Sequence, residues 1–303
     1  MGWRQWRVGS ALTAVAAAGL AAVLALHRLV PGALGTALDS GLPWLGLLVP
    51  ALLTVAVLRR SSRAFVVCLL PAVFWAAMFG PVLLPRSAAG HHDLRVATLN
   101  LGAANPSPAE ALRAVVAAAP DVLVLQELTP ANLTAARAAL AKGYAYHAVT
   151  GTVGLWSTLP LSETGPVDIG IGWTRALRAS LPSADGPVRI YAAHLASARP
   201  AATEERDQTI AALAAAVAAD ESSRVLVVGD LNTATTDRQF DAFASLRDTQ
   251  QEAGAGFGFT WPAGLPVMRP DHILQRGMST RKSWVLRAPG SDHRAVVAEL
   301  DAA

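Results

Sequence analysis

The sequence predicts a layered α/β (α+β) domain behind a membrane anchor of three helices. Three features carry that reading. Residues 1–90 contain three long apolar runs without a charged residue, at 8–26, 40–58 and 64–85, and residues 91–303 mix short apolar strands with helical stretches. Charge divides at the same place: residues 1–90 hold seven arginines against one acid, Asp39, for a balance of +6, whereas residues 91–303 are −3. Across all 303 residues, 52% are hydrophobic and 16% charged, which excludes a disordered or acidic-tail protein. The basic balance belongs to the anchor and is no nucleic-acid footprint on the remainder. The single cysteine, Cys68, lies in an apolar run, so no intramolecular disulfide can form.

The apolar runs place spans at about 8–28, 40–58 and 64–85. A bilayer core needs about 20 apolar residues in a helix, because backbone N–H and C=O groups must be satisfied within the segment. Pro50, Pro71 and Pro81 are expected kinks, which membrane helices tolerate. Arg4 and Arg7 before the first run also fit a cleavable signal peptide, but two more runs follow at once and favour a multi-pass anchor. Arg4, Arg7, Arg59, Arg60 and Arg63 flank the spans on one side, against only Arg28 and Asp39 on the other. Positive residues prefer the cytoplasmic side. The N-terminus is therefore expected inside and the domain outside, with Arg86 a contrary mark. Residues 1–92 form the expected anchor and linker, and residues 93–303 the folded domain. His91 and His92, adjacent in the linker, read as a solvated pair.

In the folded domain, residues 94–99 are β-prone and end at Asn100-Leu101-Gly102. Residues 108–119 are helical, with Pro108 at the start. Pro120-Asp121 introduces a buried strand at 122–125, and 130–142 is helical again. Strands are expected at 151–157, 188–194, 224–228, 269–274 and 295–300, with an Ala/Ile/Leu-faced helix at 203–219. About 210 residues suffice for one core.

Polar residues at the strand ends carry the functional signal. Strand ends gather side chains from distant positions at one rim. Asn100, Gln126-Glu127, His194 and Asp230-Leu231-Asn232 end strands, Asp271-His272 starts one, and Ser291-Asp292-His293 precedes the last. An Asn or Asp after a strand is ordinarily a turn former, and a lone histidine ordinarily structural. Glu127 resists that explanation, since glutamate is a poor turn former, and the ordered set of six is hard to assign to accident.

That ordered set resembles the endonuclease/exonuclease/phosphatase superfamily, which includes deoxyribonuclease I, neutral sphingomyelinases, inositol polyphosphate phosphatases and AP endonucleases. The most specific pieces are Gln126-Glu127, Gly229-Asp230-Leu231-Asn232 and Ser291-Asp292-His293, with Gly258-Phe259-Thr260-Trp261-Pro262 leading to Asp271. The resemblance implies a deoxyribonuclease I-like sandwich of two packed β-sheets flanked by helices. A three-span anchor followed by this domain is similar to a group of bacterial membrane proteins, some linked to glycopeptide resistance and undecaprenyl phosphate metabolism.

Phosphoester hydrolysis needs charge neutralised on the phosphoryl oxygens, an activated water and help for the leaving group. Hard oxygen donors without a thiolate point to Mg²⁺ or Mn²⁺. The resemblance implies Glu127 as chief metal ligand with Asn100 and Asp292, and Asp230 as the residue that orients or deprotonates water. It implies that Asn232 holds the phosphate or nucleophile and that Asp271 pairs with His293 at the phosphate. His194 would stabilise the phosphoryl oxygens or act as general acid, and Trp261 and Ser291 would bind substrate. Two departures touch substrate contacts: Ser157-Thr158-Leu159-Pro160 lacks the arginine often found there, and His272 stands where tyrosine often follows the aspartate.

The expectation is a metal-dependent phosphoesterase held in the lipid bilayer, acting outside the cytoplasm on a phosphorylated, lipid-linked substrate. No protein partner is implied. An extracytoplasmic nuclease is the alternative, disfavoured by the −3 balance of residues 91–303. A non-catalytic sensor is the alternative of another class, and loss of the counterparts of Glu127, Asp230 or His293 would mark it.

Overall fold

The computed structural model describes residues 8–88, 90–183, 186–199 and 203–301. Arg4 and Arg7, used above for orientation, lie outside the described residues. The chain divides into two compact units, Met1–Leu84 with Thr236–Arg238, and Pro85–Thr235 with Gln239–Ala303.

The first unit holds helices α1 (Val8–Leu26), α2 (Gly32–Leu45), α3 (Leu48–Leu58) and α4 (Ser62–Leu83). Two helices, Val8–Leu29 and Ser62–Leu83, are long and apolar enough to cross a membrane. The expected single span at 40–58 is instead the pair α2 and α3, bent by 55°, which passes the same length and apolarity test only as a pair. Pro43, Gly46 and Pro50 sit at the bend, and a proline has no N–H to continue the helical ladder. By contrast, α4 runs through Pro71 and Pro81 without a break. Ala14, Ala17, Ala56, Ala64 and Cys68 form this unit's buried cluster, small side chains that let helix backbones approach. Buried Asp39 is held by His27 Nδ1 at 2.7 Å and by Arg238 Nε at 2.8 Å.

The second unit is a sandwich of two six-stranded sheets. The first contains β1 (Leu94–Asn100), β2 (Val122–Gln126), β3 (Tyr146–Thr150), β4 (Val153–Ser157), β11 (Ser279–Leu286) and β12 (Ala295–Asp301), in the order β11-β12-β1-β2-β4-β3. The second contains β5 (Ser162–Pro166), β6 (Ala176–Leu181), β7 (Val188–His194), β8 (Arg224–Asp230), β9 (Arg247–Asp248) and β10 (Asp271–Arg276), in the order β5-β6-β7-β8-β10-β9. Each sheet has one parallel pair at its centre, β1 with β2 and β7 with β8. Parallel neighbours need a crossover, supplied by α5 (Pro108–Val116) in one sheet and α7 (Glu204–Ala218) in the other. Helix α6 (Pro130–Leu140) follows β2, and short α8 (Thr249–Ala253) follows β9.

Alternation along the strands builds three apolar layers. Val122 and Val124 join Ile190, Leu226, Val228 and Ile273 between the sheets. Leu123 and Leu125 turn the other way, under Leu112 and Val115 of α5. Val225 and Val227 turn toward Ile210 and Leu213 of α7. Central strands buried on both faces read as unbroken apolar runs, which is why they were visible in sequence.

The same topology positions the site. The parallel strands β1, β2, β7 and β8 end where the antiparallel strands β10 and β12 begin. In register, His194 faces Asp230 across β7 and β8, and Asp271 faces Asp230 across β10 and β8. Asn100 faces Gln126 across β1 and β2, one residue before Glu127.

Candidate active site

Glu127 follows β2 with φ at 56°, a left-handed conformation that costs a non-glycine residue about 1–2 kcal/mol. Its carbonyl oxygen accepts from Thr129 N–H at 2.8 Å and from Asn132 Nδ2 at 2.9 Å, and these bonds hold the strained turn. Its carboxylate accepts from Ala103 N–H and from Asn100 Nδ2 at 3.1 Å. Such strain gathers where function requires a particular aim. Asn232, at φ 48°, repeats the pattern after β8, with Nδ2 donating to the Leu195 carbonyl at 2.9 Å.

Asn100 joins the two sheets. Its Nδ2 reaches both Glu127 Oε1 and Asp230 Oδ2, the latter at 3.0 Å, while its Oδ1 accepts from Gly102 N–H. Asp230 also accepts from Asn232 N–H at 2.9 Å. Burial, then the charge of Asp271, push the Asp230 carboxyl above the usual range, against the opposing pull of His293, His194 and the Asn100 hydrogen bond. A carboxylate so raised is better matched to accepting a proton near neutral pH.

Two histidines flank Asp230. His194 Nε2 lies 3.6 Å from Asp230 Oδ2 and 4.0 Å from Glu127 Oε1, and its buried Nδ1 has no partner. Burial pushes it down to about 4, despite the charge of Asp230. His293 Nδ1 bonds Asp271 Oδ2 at 2.8 Å, and its Nε2 stands 3.9 Å from Asp230 Oδ2. Burial alone would lower His293, but the charge and hydrogen bond of Asp271, with Asp230 and Asp292 adding, carry it up to about 10. Thr260 Oγ1 donates to the same Asp271 oxygen at 2.6 Å.

A cavity of about 260 Å³ is walled by Asn100, Glu127, His194, Asp230, Asn232, Trp261, Asp292 and His293, with Met268 and Pro270. Trp261 Nε1 points to Asp292 Oδ2 at 3.4 Å. Asp271 and Ser291 stand behind that wall. Ser291 donates to the Asn100 carbonyl at 2.6 Å and accepts from His293 N–H at 2.9 Å, so its hydroxyl is spent on fixing the turn that carries Asp292 and His293. A larger cleft of about 660 Å³ includes Arg189 and Asp220, but these are paired with each other and no acid–base set converges there. Sequence reading missed Thr260, Asn132 and the buried Arg175. Thr260 lies inside the quoted Gly258–Pro262 segment and was legible there, whereas Asn132 and Arg175 sit at element starts with no pattern to mark them.

The donor chemistry fits a hard divalent cation. Glu127, Asp292 and Asn100 offer oxygens on one side. Asp230, Asp271 and His293 form a compact buried group whose ligand atoms lie within 4.8 Å of one another, and Asp271 Oδ1 is buried without a partner. Oxygen-rich sets of this kind suit Mg²⁺ or Mn²⁺ chemistry.

Residues 97–293 match the model of the Endonuclease/Exonuclease/phosphatase family. The chain belongs to that family. Its fold is that of the humanized D. rerio TDP2, at TM-score 0.59 and 18% identity over 69% of this chain and 98% of that one. The mannosyl-6-phosphatase of Bacteroides thetaiotaomicron gives TM-score 0.59 and 18% identity, over 69% and 99%. A Beutenbergia cavernae endonuclease/exonuclease/phosphatase gives 0.54 and 20%, over 70% and 72%. No curated protein matches the sequence. The two-sheet sandwich and the resemblance read from the strand ends are thus borne out, and the family's chemistry makes the protein a phosphoester hydrolase. Enzymes of this family typically depend on a divalent metal, in keeping with the donor set.

Proposed function

We propose that the protein is a membrane-anchored, Mg²⁺- or Mn²⁺-dependent phosphoesterase acting at the outer membrane face, on a lipid-linked phosphate or pyrophosphate. The observation that carries the hydrolytic reading is the convergence of Asn100, Glu127, His194, Asp230, Asn232, Asp292 and His293 on one cavity. Glu127, with Asn100 and Asp292, would hold the ion, which when bound neutralises charge on the phosphoryl oxygens. Asp230 takes the proton of a water whose oxygen attacks phosphorus, while the ester or anhydride P–O bond breaks and the leaving oxygen departs with the bonding pair as an anion. Asn232, its backbone N–H on Asp230, keeps that carboxylate aimed. His293, held cationic by Asp271, stabilises the negative charge that grows on the phosphoryl oxygens. His194, neutral beside Asp230, offers a hydrogen bond to the phosphoryl group without adding charge, and Trp261 forms an apolar wall for the substrate.

The membrane assignment rests on the two long apolar helices, and the outer face on the arginines at Arg59, Arg60 and Arg63. The −3 balance of residues 91–303 weighs against nucleic acid as substrate. The deciding assay offers the purified full chain with Mg²⁺ a panel of undecaprenyl pyrophosphate, sphingomyelin, inositol phosphates, and single- and double-stranded DNA. Turnover of the lipid pyrophosphate above the rest is expected. Selective turnover of DNA would replace this reading with the nuclease, and no turnover of any member would favour a sensor. A reporter fused after Ala303 should work only as an extracytoplasmic one, and a strongly active cytoplasmic reporter would reverse the orientation.

A further inference from the structure

Among the described residues, three arginines are less than a tenth exposed: Arg175, Arg206 and Arg269. Arg206 is paired with Asp207 and Arg269 with Asp248. The Arg175 side chain makes no hydrogen bond or ion pair with any described residue, and its Nε is buried without a partner. A buried Nε–H without an acceptor is costly, and buried polar groups are otherwise almost always satisfied. The exception calls for a partner that arrives from outside.

Its place in the fold says where that partner lies. Arg175 precedes β6, and its carbonyl accepts from His194 N–H at 2.9 Å, so it continues the antiparallel register that pairs Ala176 with Ala193. Directly opposed residues of an antiparallel pair share one face of the sheet. The Arg175 backbone therefore stands one strand spacing, about 4.8 Å, from that of His194, whose side chain lines the candidate cavity. The charges of Asp230, Glu127 and Glu205 act on it against the effect of burial. The His194 ring also carries an orphan, Nδ1. The half-exposed Trp173 ring supports the guanidinium from one side, 4.8 Å from ring centroid to Cζ, and leaves its donors unspent.

We propose that Arg175, with Trp173 behind it, is a subsite for a second phosphoryl group joined to the reacting one through a bridging oxygen, so that the substrate is a diphosphate. This rests on the phosphoesterase reading and names its substrate class. A guanidinium's planar fork matches phosphoryl oxygens in a two-point contact. Positive charge is required at that place, because Glu127, Asp230, Asp271 and Asp292 would otherwise repel a substrate carrying a second anionic group. The closeness of Arg175 to His194 suits an anhydride, whose phosphorus atoms share an oxygen. Successive phosphates of a nucleic acid are separated by a whole sugar.

The test is calorimetric binding of inorganic phosphate and of methylenediphosphonate, a diphosphate mimic that cannot hydrolyse, to the detergent-solubilised full chain at fixed free Mg²⁺. Wild type should prefer the diphosphonate at least about tenfold. R175Q should weaken diphosphonate binding at least about tenfold while leaving phosphate within about twofold, one lost charged two-point contact. R175K should fall between, since lysine keeps the charge without the fork. W173A, at an exposed position that keeps the fold, should weaken the diphosphonate about two- to fivefold through the lost stacking face. Equal weakening of both ligands by R175Q would make Arg175 a positioning residue for His194 and overturn the subsite. So would unchanged binding, or an Arg175-dependent affinity confined to a single-stranded oligonucleotide. The substrate panel separates the two levels: phosphoester turnover by wild type without an Arg175-dependent diphosphonate preference removes this inference alone, whereas absence of all turnover removes the reading beneath it.

Discussion

The two sides of the candidate cavity each present a buried histidine to the same carboxylate, Asp230, and the two are driven in opposite directions. On the β7 side, His194 has no carboxylate bonded to its Nδ1, so burial wins and lowers it to about 4. On the β12 side, His293 is bonded to Asp271, and that partner outweighs burial and raises it to about 10. One side is thus a neutral donor or acceptor and the other a fixed cation, though both residues are less than a tenth exposed. Role follows from the second partner, not from burial or residue type. A third histidine makes the point outside the cavity: His272 bonds Asp248 at 3.1 Å and the Thr233 carbonyl at 2.9 Å, and both contacts tie neighbouring segments together.

The largest expected effect bears on both sides at once. Chelation with EDTA should abolish hydrolysis, and Mg²⁺ or Mn²⁺ should restore it, because the carboxylates around Asp230 need a cation before an anionic phosphoryl group can enter. Full activity in chelator would sink the mechanism. Next, Asp230→Asn and His293→Ala should each lower kcat by at least about 10²-fold. The double variant should lose no more than slightly beyond the worse single one, since residues serving one transition state act as a unit. Circular dichroism should show both folded, and His92→Ala in the linker should be near neutral. Wild-type turnover by both site variants would dissolve the contrast between the two sides altogether.

Asp248→Ala sharpens the comparison by striking a histidine's carboxylate away from the cavity wall. Arg269 and His272 hold the Asp248 carboxyl well below the usual range despite its burial. Removing it should cost about 3–5 kcal/mol of stability, read by denaturant unfolding, because Arg269 is left buried and unpaired. Since Asp248 is depressed, its contribution is present above the unfolded carboxyl value and fades as pH falls below about 4.

The two cavity histidines should also leave opposite marks on the pH dependence of the thermal midpoint, measured in chelator. His293 is raised, so its contribution is complete below about 6.5 and is lost as pH climbs toward about 10. His194 is lowered, so stability falls as pH drops from about 6.5 toward 4, where the unfolded chain takes up a proton that the folded one refuses. His293→Gln should flatten the alkaline limb only, and His194→Gln the acid limb only. If either variant altered both limbs equally, the two sides would not be electrostatically distinct. The smallest effect is alkaline: burial pushes Tyr144 and Tyr191 up to about 12, so stability should decline further above about 10, a loss that Tyr144→Phe should reduce.

Much of this site was legible before any fold was in view, because its residues end or begin strands that are apolar throughout. Val122–Gln126 and residues 225–230 are buried on both faces, and a polar residue at the end of such a run stands out. Strands β3 and β5 were not legible as such, since they lie at sheet edges with exposed or half-exposed residues and no alternation. The apolar segment at 40–58 was read too simply for a different reason: composition marks apolar length, whereas the bend at Pro43–Pro50 depends on missing backbone donors.

The sequence by itself therefore determined the fold class, the apolar N-terminal helices and the identity of the converging carboxylates, amides and imidazoles. Each follows from local pattern, either apolar periodicity or the residue that punctuates it. Tertiary structure alone decided which histidine would be neutral and which charged, and that Glu127 would be held at a left-handed turn by Asn132, five residues along the chain. It also decided that Arg175, one of 23 arginines, would be the buried one without a counter-ion among the described residues. Those properties depend on distances between side chains far apart in the chain, and electrostatic energy is set by distance and burial, neither of which a sequence states.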